Sequence, residues 1–199
     1  VETRDMATRP ATRCKAADYI QVAPMPLIRA SCSSDIAAIT AIYAHHVQHG
    51  TGTFEIAAPT TQDMAARRAE VLARGLPWLV AQAEGTGEVM GFTYANWFKP
   101  RPAYRFSAED SVYVAASACG QGVGRLLLSA LLREAQAAGV RKLLAVIGDS
   151  ANQASIGLHA CQGFVHAGVL RSVGWKHCVW RDVVLMEKPL GAGDSTSPE

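Results

Sequence analysis

Three glycines in five positions, Gly120, Gly122 and Gly124, separate the run Asp110-Ser111-Val112-Tyr113-Val114-Ala115 from the apolar run Leu126 to Leu132. β-Branched and aromatic residues before, and leucines after, read as strand, glycine-rich loop and helix. Such a backbone can approach a ligand closely, and it leaves the first amides of the helix without internal partners, so the place suits a phosphate group. Spacing then excludes two readings. A P-loop ends in Gly-Lys-Ser/Thr, but Gly124 is followed by Arg125 and Leu126. A dinucleotide fingerprint needs a glycine where Arg125 stands. A glycine-rich turn with no ligand stays open at this point.

The chain bounds the remaining choices. Its 199 residues suit one domain, and although 49% are hydrophobic, no stretch approaches the roughly 20 apolar residues of a membrane helix. A net charge of +2 with scattered arginines carries no nucleic-acid footprint. The five cysteines, Cys14, Cys32, Cys119, Cys161 and Cys178, are odd in number and include no Cys-x-x-Cys pair, which suits a reducing cytoplasm and neither a disulfide framework nor a zinc cluster. Cys119, at a helix N-terminus, is either a reactive thiol or a small residue that fits the loop.

Residues 1–25 carry Arg4, Arg9, Arg13 and Lys15 without an apolar period and read as a disordered extension. A folded domain over 26–190 follows, and the Gly/Ser/Pro-rich stretch 191–199 reads as a disordered tail. Within the domain the spacing predicts a strand at 27–30, helices to about Gly50 and from about Thr60 to Arg74, and a hairpin of strands at 78–83 and 89–95. After the glycine loop come a helix to Ala138, a strand at 142–147, a helix from Ala154 to Cys161, and strands at 165–170 and 180–186. The fold class is α/β (α+β): a mixed, mostly antiparallel sheet of about seven strands flanked by helices. His45, His46 and His49 end the first helix, where cations suit the dipole, and no metal is expected there.

The Gly122-x-Gly124 pair behind a strand resembles the acetyl-CoA pyrophosphate loop of the GNAT family of N-acetyltransferases, with Cys119 where that family usually carries Arg or Gln. Asn152-x-x-Ser155-Ile156-x-Leu158-His159-x-x-x-Gly163-Phe164 is similar to that family's second segment. Tyr104, Glu109 to Val114, Ala145 to Gly148 and Gly174-Trp175-Lys176 resemble its phosphinothricin and methionine sulfoximine acetyltransferase branch over about residues 27–188. The resemblance implies the acyl-CoA N-acyltransferase fold, acetyl-CoA as co-substrate with no metal, a small-molecule amine as acceptor and a homodimer. It maps the catalytic base onto Glu109, makes Asn152 and Ser155 cofactor contacts, and puts His159 where a tyrosine near the departing sulfur is usual.

Chemistry agrees with those roles. An amine protonated at neutral pH must lose a proton before it attacks a thioester, and Glu109 could take it. The backbone amide of Val114 could stabilise the oxyanion, and His159 could be an acid, a second base, a substrate contact or a core histidine. Val112, Tyr113 and Val114 would line the pantetheine arm, and the amides of Gly120, Gln121, Gly122, Val123, Gly124 and Arg125, behind Cys119, would take the pyrophosphate. Lys99, Arg101 and Arg105, on a proline-stiffened aromatic loop, read equally as a solvated surface or as a pocket for an anionic group, and the resemblance implies that they meet the acceptor's acidic group with Phe54 and Tyr104 as walls. Phosphinothricin enzymes carry arginine at the position of Glu55, which favours methionine sulfoximine or sulfone. A peptide or protein acetyltransferase and a non-catalytic acyl-CoA-binding regulator are the competing functions.

Overall fold

The computed structural model describes residues 25–198; the expected N-terminal extension, apart from Met25, lies outside the described residues. Seven strands, β1 (Leu27–Ala30), β2 (Trp78–Gln82), β3 (Val89–Trp97), β4 (Ser107–Val114), β5 (Lys142–Gly148), β6 (Val165–Lys176) and β7 (Val179–Pro189), form one sheet in the order β1-β2-β3-β4-β5-β7-β6. Every neighbouring pair is antiparallel except β4 with β5. The four helices are α1 (Ile36–His49), α2 (Thr61–Ala73), α3 (Val123–Ala137) and α4 (Gln153–Cys161). The mixed, mostly antiparallel sheet with flanking helices expected from the sequence is the one found.

Side-chain alternation along the strands assigns the helices to faces. Tyr113 of β4 meets Tyr43 of α1 at 4.9 Å and His46 at 5.3 Å between ring centroids. Its neighbour Val114 turns the other way, where a Cβ on Gly124 of α3 would lie 3.6 Å from it and 3.4 Å from Leu158 of α4. So α1 covers one face, and α3 and α4 the other. Ile39, Trp78, Phe92, Leu128, Leu131 and Leu143, all at most 2% exposed, fill the core between these layers.

Three boundaries differ from the sequence expectation. β4 begins at Ser107, because Ser107, Ala108 and Glu109, poor strand formers, are held by β3 on one side and β5 on the other. β6 continues past Leu170 to Lys176 through a register shift near Ser172, whose φ of 51° breaks the period of two. β7 correspondingly spans Val179–Pro189. Beyond β7, at 191–198, Arg141 donates to Thr196 Oγ1 at 3.1 Å and to the Ser197 carbonyl at 3.3 Å.

The loop between α1 and α2 lies flat on β5 and β6 because two strand positions lack a Cβ. A methyl on Gly148 would run into the Thr51 carbonyl, and one on Gly174 into the Phe54 ring. Lys176, 2% exposed, pins the same loop by donating to the Thr53 carbonyl at 2.7 Å. Gly174→Ala is therefore expected to cost about 1–3 kcal/mol through overpacking, while Gly168→Ala, with nothing within 4 Å, is neutral within about 0.5 kcal/mol. Chemical denaturation of the two variants checks the difference.

Candidate active site

β4 and β5 pair only through Ser107↔Lys142, Ala108↔Leu143 and Glu109↔Leu144, and then separate. A cavity of about 710 Å³ opens in the split, lined on one edge by Glu109 to Val114 and on the other by Ala145 to Asp149. Its walls on the α1 face are Tyr43, His46, Thr53, Phe54 and Tyr94, and α4 contributes Asn152, Ser155, Leu158 and His159.

The free strand edges carry unpaired backbone groups. Ala115 N–H donates to the Met90 carbonyl at 2.8 Å, which sets the ladder phase: odd residues of β4 bond to β3, and Val112 and Val114 turn their amides into the split. The bond from Asp149 N–H to the Asp182 carbonyl sets β5 likewise, so that Val146 faces the split. The Val114 carbonyl is taken by His46, whose Nε2–H donates to it at 2.9 Å. Burial pushes the His46 pKa down, so this ring is neutral and serves as a donor. Val114 N–H remains free and aimed at the cavity.

The glycine loop follows β4 and brings Gly124 against Val114 and Leu158 of the cavity wall. Gly122 has a φ of 80° and precedes Val123, the first residue of α3. Only from Leu126 onward do amides find carbonyls within the helix, since Leu126 N–H donates to the Gly122 carbonyl at 3.2 Å, leaving Val123, Gly124 and Arg125 to point outward. The Cys119 thiol is exposed and bonds back to the Ala115 carbonyl, and Gln121 Nε2 donates to Ser117. Asn152 caps α4, its Oδ1 accepting from Ser155 N–H at 3.2 Å.

At the vertex stand two carboxylates on opposite faces. Glu109 is half-buried, and burial together with the neighbouring Asp110 charge pushes its pKa up to about 7, against a smaller pull from Lys99. Asp110 Oδ2 meets His159 Nε2 at 2.8 Å, and His159 Nδ1 meets the Ser155 carbonyl at 2.7 Å. For His159, burial alone would favour the neutral ring; the bond to Asp110, its charge and the Ser155 carbonyl outweigh it, and the net shift is upward.

Of the residues expected at the site, Phe54, Glu109, Val112, Tyr113, Val114, Asn152, Ser155 and His159 converge on the cavity, while Cys119, Gly120, Gln121, Gly122, Val123, Gly124 and Arg125 do not line it, Gly124 lying against its lining residues Val114 and Leu158. Glu55 does not line it. Its carboxylate is held by Arg67 at 2.6 and 3.1 Å and by the Tyr43 hydroxyl at 2.9 Å. Lys99, Arg101, Tyr104 and Arg105 also stay outside: Lys99 lies over Phe98, Arg105 over Phe106, and Tyr104 against Phe98. Tyr43, His46, Tyr94 and Asp110 were not singled out from sequence. Asp110 lay within the quoted strand motif, but its partner is 49 residues away.

The sequence profile of the acetyltransferase (GNAT) family matches residues 39–164. The chain belongs to that family. It is 51% identical over 188 residues to a phosphinothricin N-acetyltransferase of Alcaligenes faecalis, a match covering 92% of this chain and 94% of that one. It is 38% identical over 164 residues to an L-methionine sulfoximine/L-methionine sulfone acetyltransferase of Pseudomonas aeruginosa, covering 80% and 92%. The crystal structure of a GNAT phosphinothricin acetyltransferase from Sinorhizobium meliloti in complex with acetyl-CoA superposes with a TM-score of 0.85 at 39% identity, covering 88% of this chain and 94% of that chain. The GNAT enzyme described here is thus an N-acetyltransferase whose co-substrate is acetyl-CoA. Among the described residues no group of three or more His, Cys, Asp or Glu could hold a metal ion, and no helix is long and apolar enough to cross a membrane.

The raised proton affinity of Glu109 has a consequence for stability. Between its ordinary value of 4.5 and about 7 the folded chain holds a proton that the unfolded chain has lost, so stability falls as pH rises through that window. Glu109→Gln removes this loss. Its melting temperature relative to wild type is expected to be higher at pH 8 than at pH 4 by calorimetry; a constant difference would contradict the burial of a charged carboxylate.

Proposed function

We propose that the enzyme acetylates the primary amine of a small amino acid analogue of the methionine sulfoximine, methionine sulfone or phosphinothricin type, by direct attack in a ternary complex. The observation that carries the reading is Glu109, a carboxylate of raised proton affinity at the vertex where the β4 and β5 edges part. The activities of the relatives, on phosphinothricin and on methionine sulfoximine or sulfone, support the acceptor class.

Acetyl-CoA supplies, when bound, an activated thioester whose thiol leaves readily. The outward amides of Val123, Gly124 and Arg125, with Gly120, Gln121 and Gly122, are suited to its pyrophosphate, and the free edges at Val112 and Val146 to the amides of its arm. The Cys119 side chain adds a weak contact at most. Val114 N–H, fixed by the His46 bond to the same residue's carbonyl, is the donor for charge developing on the acetyl oxygen. Glu109 accepts the proton of the acceptor's ammonium, directly or through a water, and an acid group titrating near 7 is matched to that task. His159 has both ring nitrogens engaged, so it transfers no proton to substrate in this scheme. Tyr43, Thr53, Phe54 and Tyr94 bound the acceptor end. Glu55 acts there through its hold on Arg67 and Tyr43.

The enzyme works as a homodimer in this reading. Val169, Leu170, Val173, Trp175, Val179 and Trp180 on the β6–β7 hairpin are 42–61% exposed, an apolar face that suits a second copy. Lys99, Arg101, Tyr104 and Arg105 would then reach an acceptor only across that interface. Four exposed free thiols among the described residues suit a cytoplasmic setting.

Coenzyme A release in the presence of methionine sulfoximine, phosphinothricin, ordinary amino acids or a lysine peptide tests the proposal. Release dependent on one of the first two, falling about 100-fold or more in Glu109→Gln, is expected. Turnover on the peptide alone would move the acceptor to a protein amine, and acetyl-CoA binding without any turnover would make the protein an acyl-CoA-binding regulator. The same preparation sized in solution should be dimeric; a fully active monomer would overturn the shared site.

A further inference from the structure

Asp110 is enclosed, its side chain 2% exposed, and His159 is 5% exposed. One oxygen of Asp110 holds His159; the other, Oδ1, is buried with no partner, although the residue lines the cavity. His159 Nδ1 faces a carbonyl and must carry a proton to bond it, while Nε2 faces a carboxylate. With both nitrogens donating, the ring is an imidazolium. A buried carboxylate without a cationic partner is costly, and His159 is the partner that Asp110 has.

The pair adjoins Glu109 across the strand, and few other charges face that residue. Tyr94 on β3 and Tyr43 on α1 have raised pKa values from burial and stay neutral, as does His46. Lys99, in the β3–β4 connection, opposes Asp110 in part. Arg67 of α2 is paired with Glu55, and Asp149, beyond β5, with Arg181 at 2.6 Å. The facing stretch 144–148 of β5 has no ionisable side chain. Asp110, the strand neighbour of Glu109, is thus the end of the pair whose charge raises that residue's proton affinity, and His159 is the cation that offsets it.

We infer that Asp110 is a positioning residue of the reaction: it fixes the His159 imidazolium and, with it, sets the charge beside Glu109 and the pH at which that base works. The inference rests on Glu109 as the base. Asp110→Asn removes the negative end and the reason for His159 to be charged, so Glu109 ionises at lower pH. His159→Asn leaves Asp110 uncompensated, so Glu109 ionises at higher pH. A merely structural pair would not move the profile in opposite senses.

The test is the pH profile of kcat/KM for methionine sulfoximine at saturating acetyl-CoA, in wild type, Asp110→Asn, His159→Asn and Glu109→Gln. The acid limb is expected to move down by about one unit in Asp110→Asn and up in His159→Asn. Limbs that coincide with wild type, or that move together, overturn the inference while an inactive Glu109→Gln upholds the base. A fully active Glu109→Gln instead defeats the base itself. A wild-type measurement stands apart from folding of the variants: NMR of the His159 ring at pH 6.5 should give the imidazolium as the major form, and a neutral ring overturns the pairing.

Discussion

The site depends on two parallel strands that pair for three residues and no further. A continuous β4–β5 ladder would satisfy its own amides and leave no cavity. Instead β3 holds β4 through Val114 and β7 holds β5 through Gly148, so each strand stays rigid while the edges between them are unpaired. Backbone groups facing a cavity without partners are costly unless a ligand or water satisfies them, and a ligand carrying amides satisfies them as another strand would. The glycine turn at the mouth extends the same logic, presenting helix amides to an anion.

The vertex of that split gathers the ionisable chemistry. Successive residues of a strand face opposite ways, so Glu109 and Asp110 serve different compartments from one point of the backbone. Glu109 is turned toward the tyrosines of the α1 face and made harder to ionise. Asp110 is turned toward α4 and bonded to His159. The loop carrying Phe54 walls the cavity on the α1 side, and it is held there by backbone space at Gly148 and Gly174 and by Lys176, all remote in sequence.

Features encoded locally were legible in the sequence. The strand, glycine turn and helix around Gly120 to Gly124 form a short pattern that reads without the fold, and most elements followed from apolar spacing. What failed was pairing at a distance. His46 looked like a favourable helix end, but its role comes from the Val114 carbonyl 68 residues on. Glu55 read as a residue that bears on the acceptor, but its carboxylate is taken by Arg67 and Tyr43. The cationic aromatic loop at 97–106 has the composition of both a surface and a pocket, and in the fold Lys99 and Arg105 lie over their own neighbours, Phe98 and Phe106. β6 was cut short in the reading because a bulge erased its alternation.

The central claim is that acetyl-CoA occupies the split as an additional strand against the free edges. Residue-resolved amide hydrogen exchange, with and without acetyl-CoA, tests it most directly. The account predicts slowed exchange at Val112, Val114 and Val146 and at the α3 N-terminus, with β1 and β2 unchanged. Tight acetyl-CoA binding that leaves Val112, Val114 and Val146 exchanging as in the free protein would contradict it.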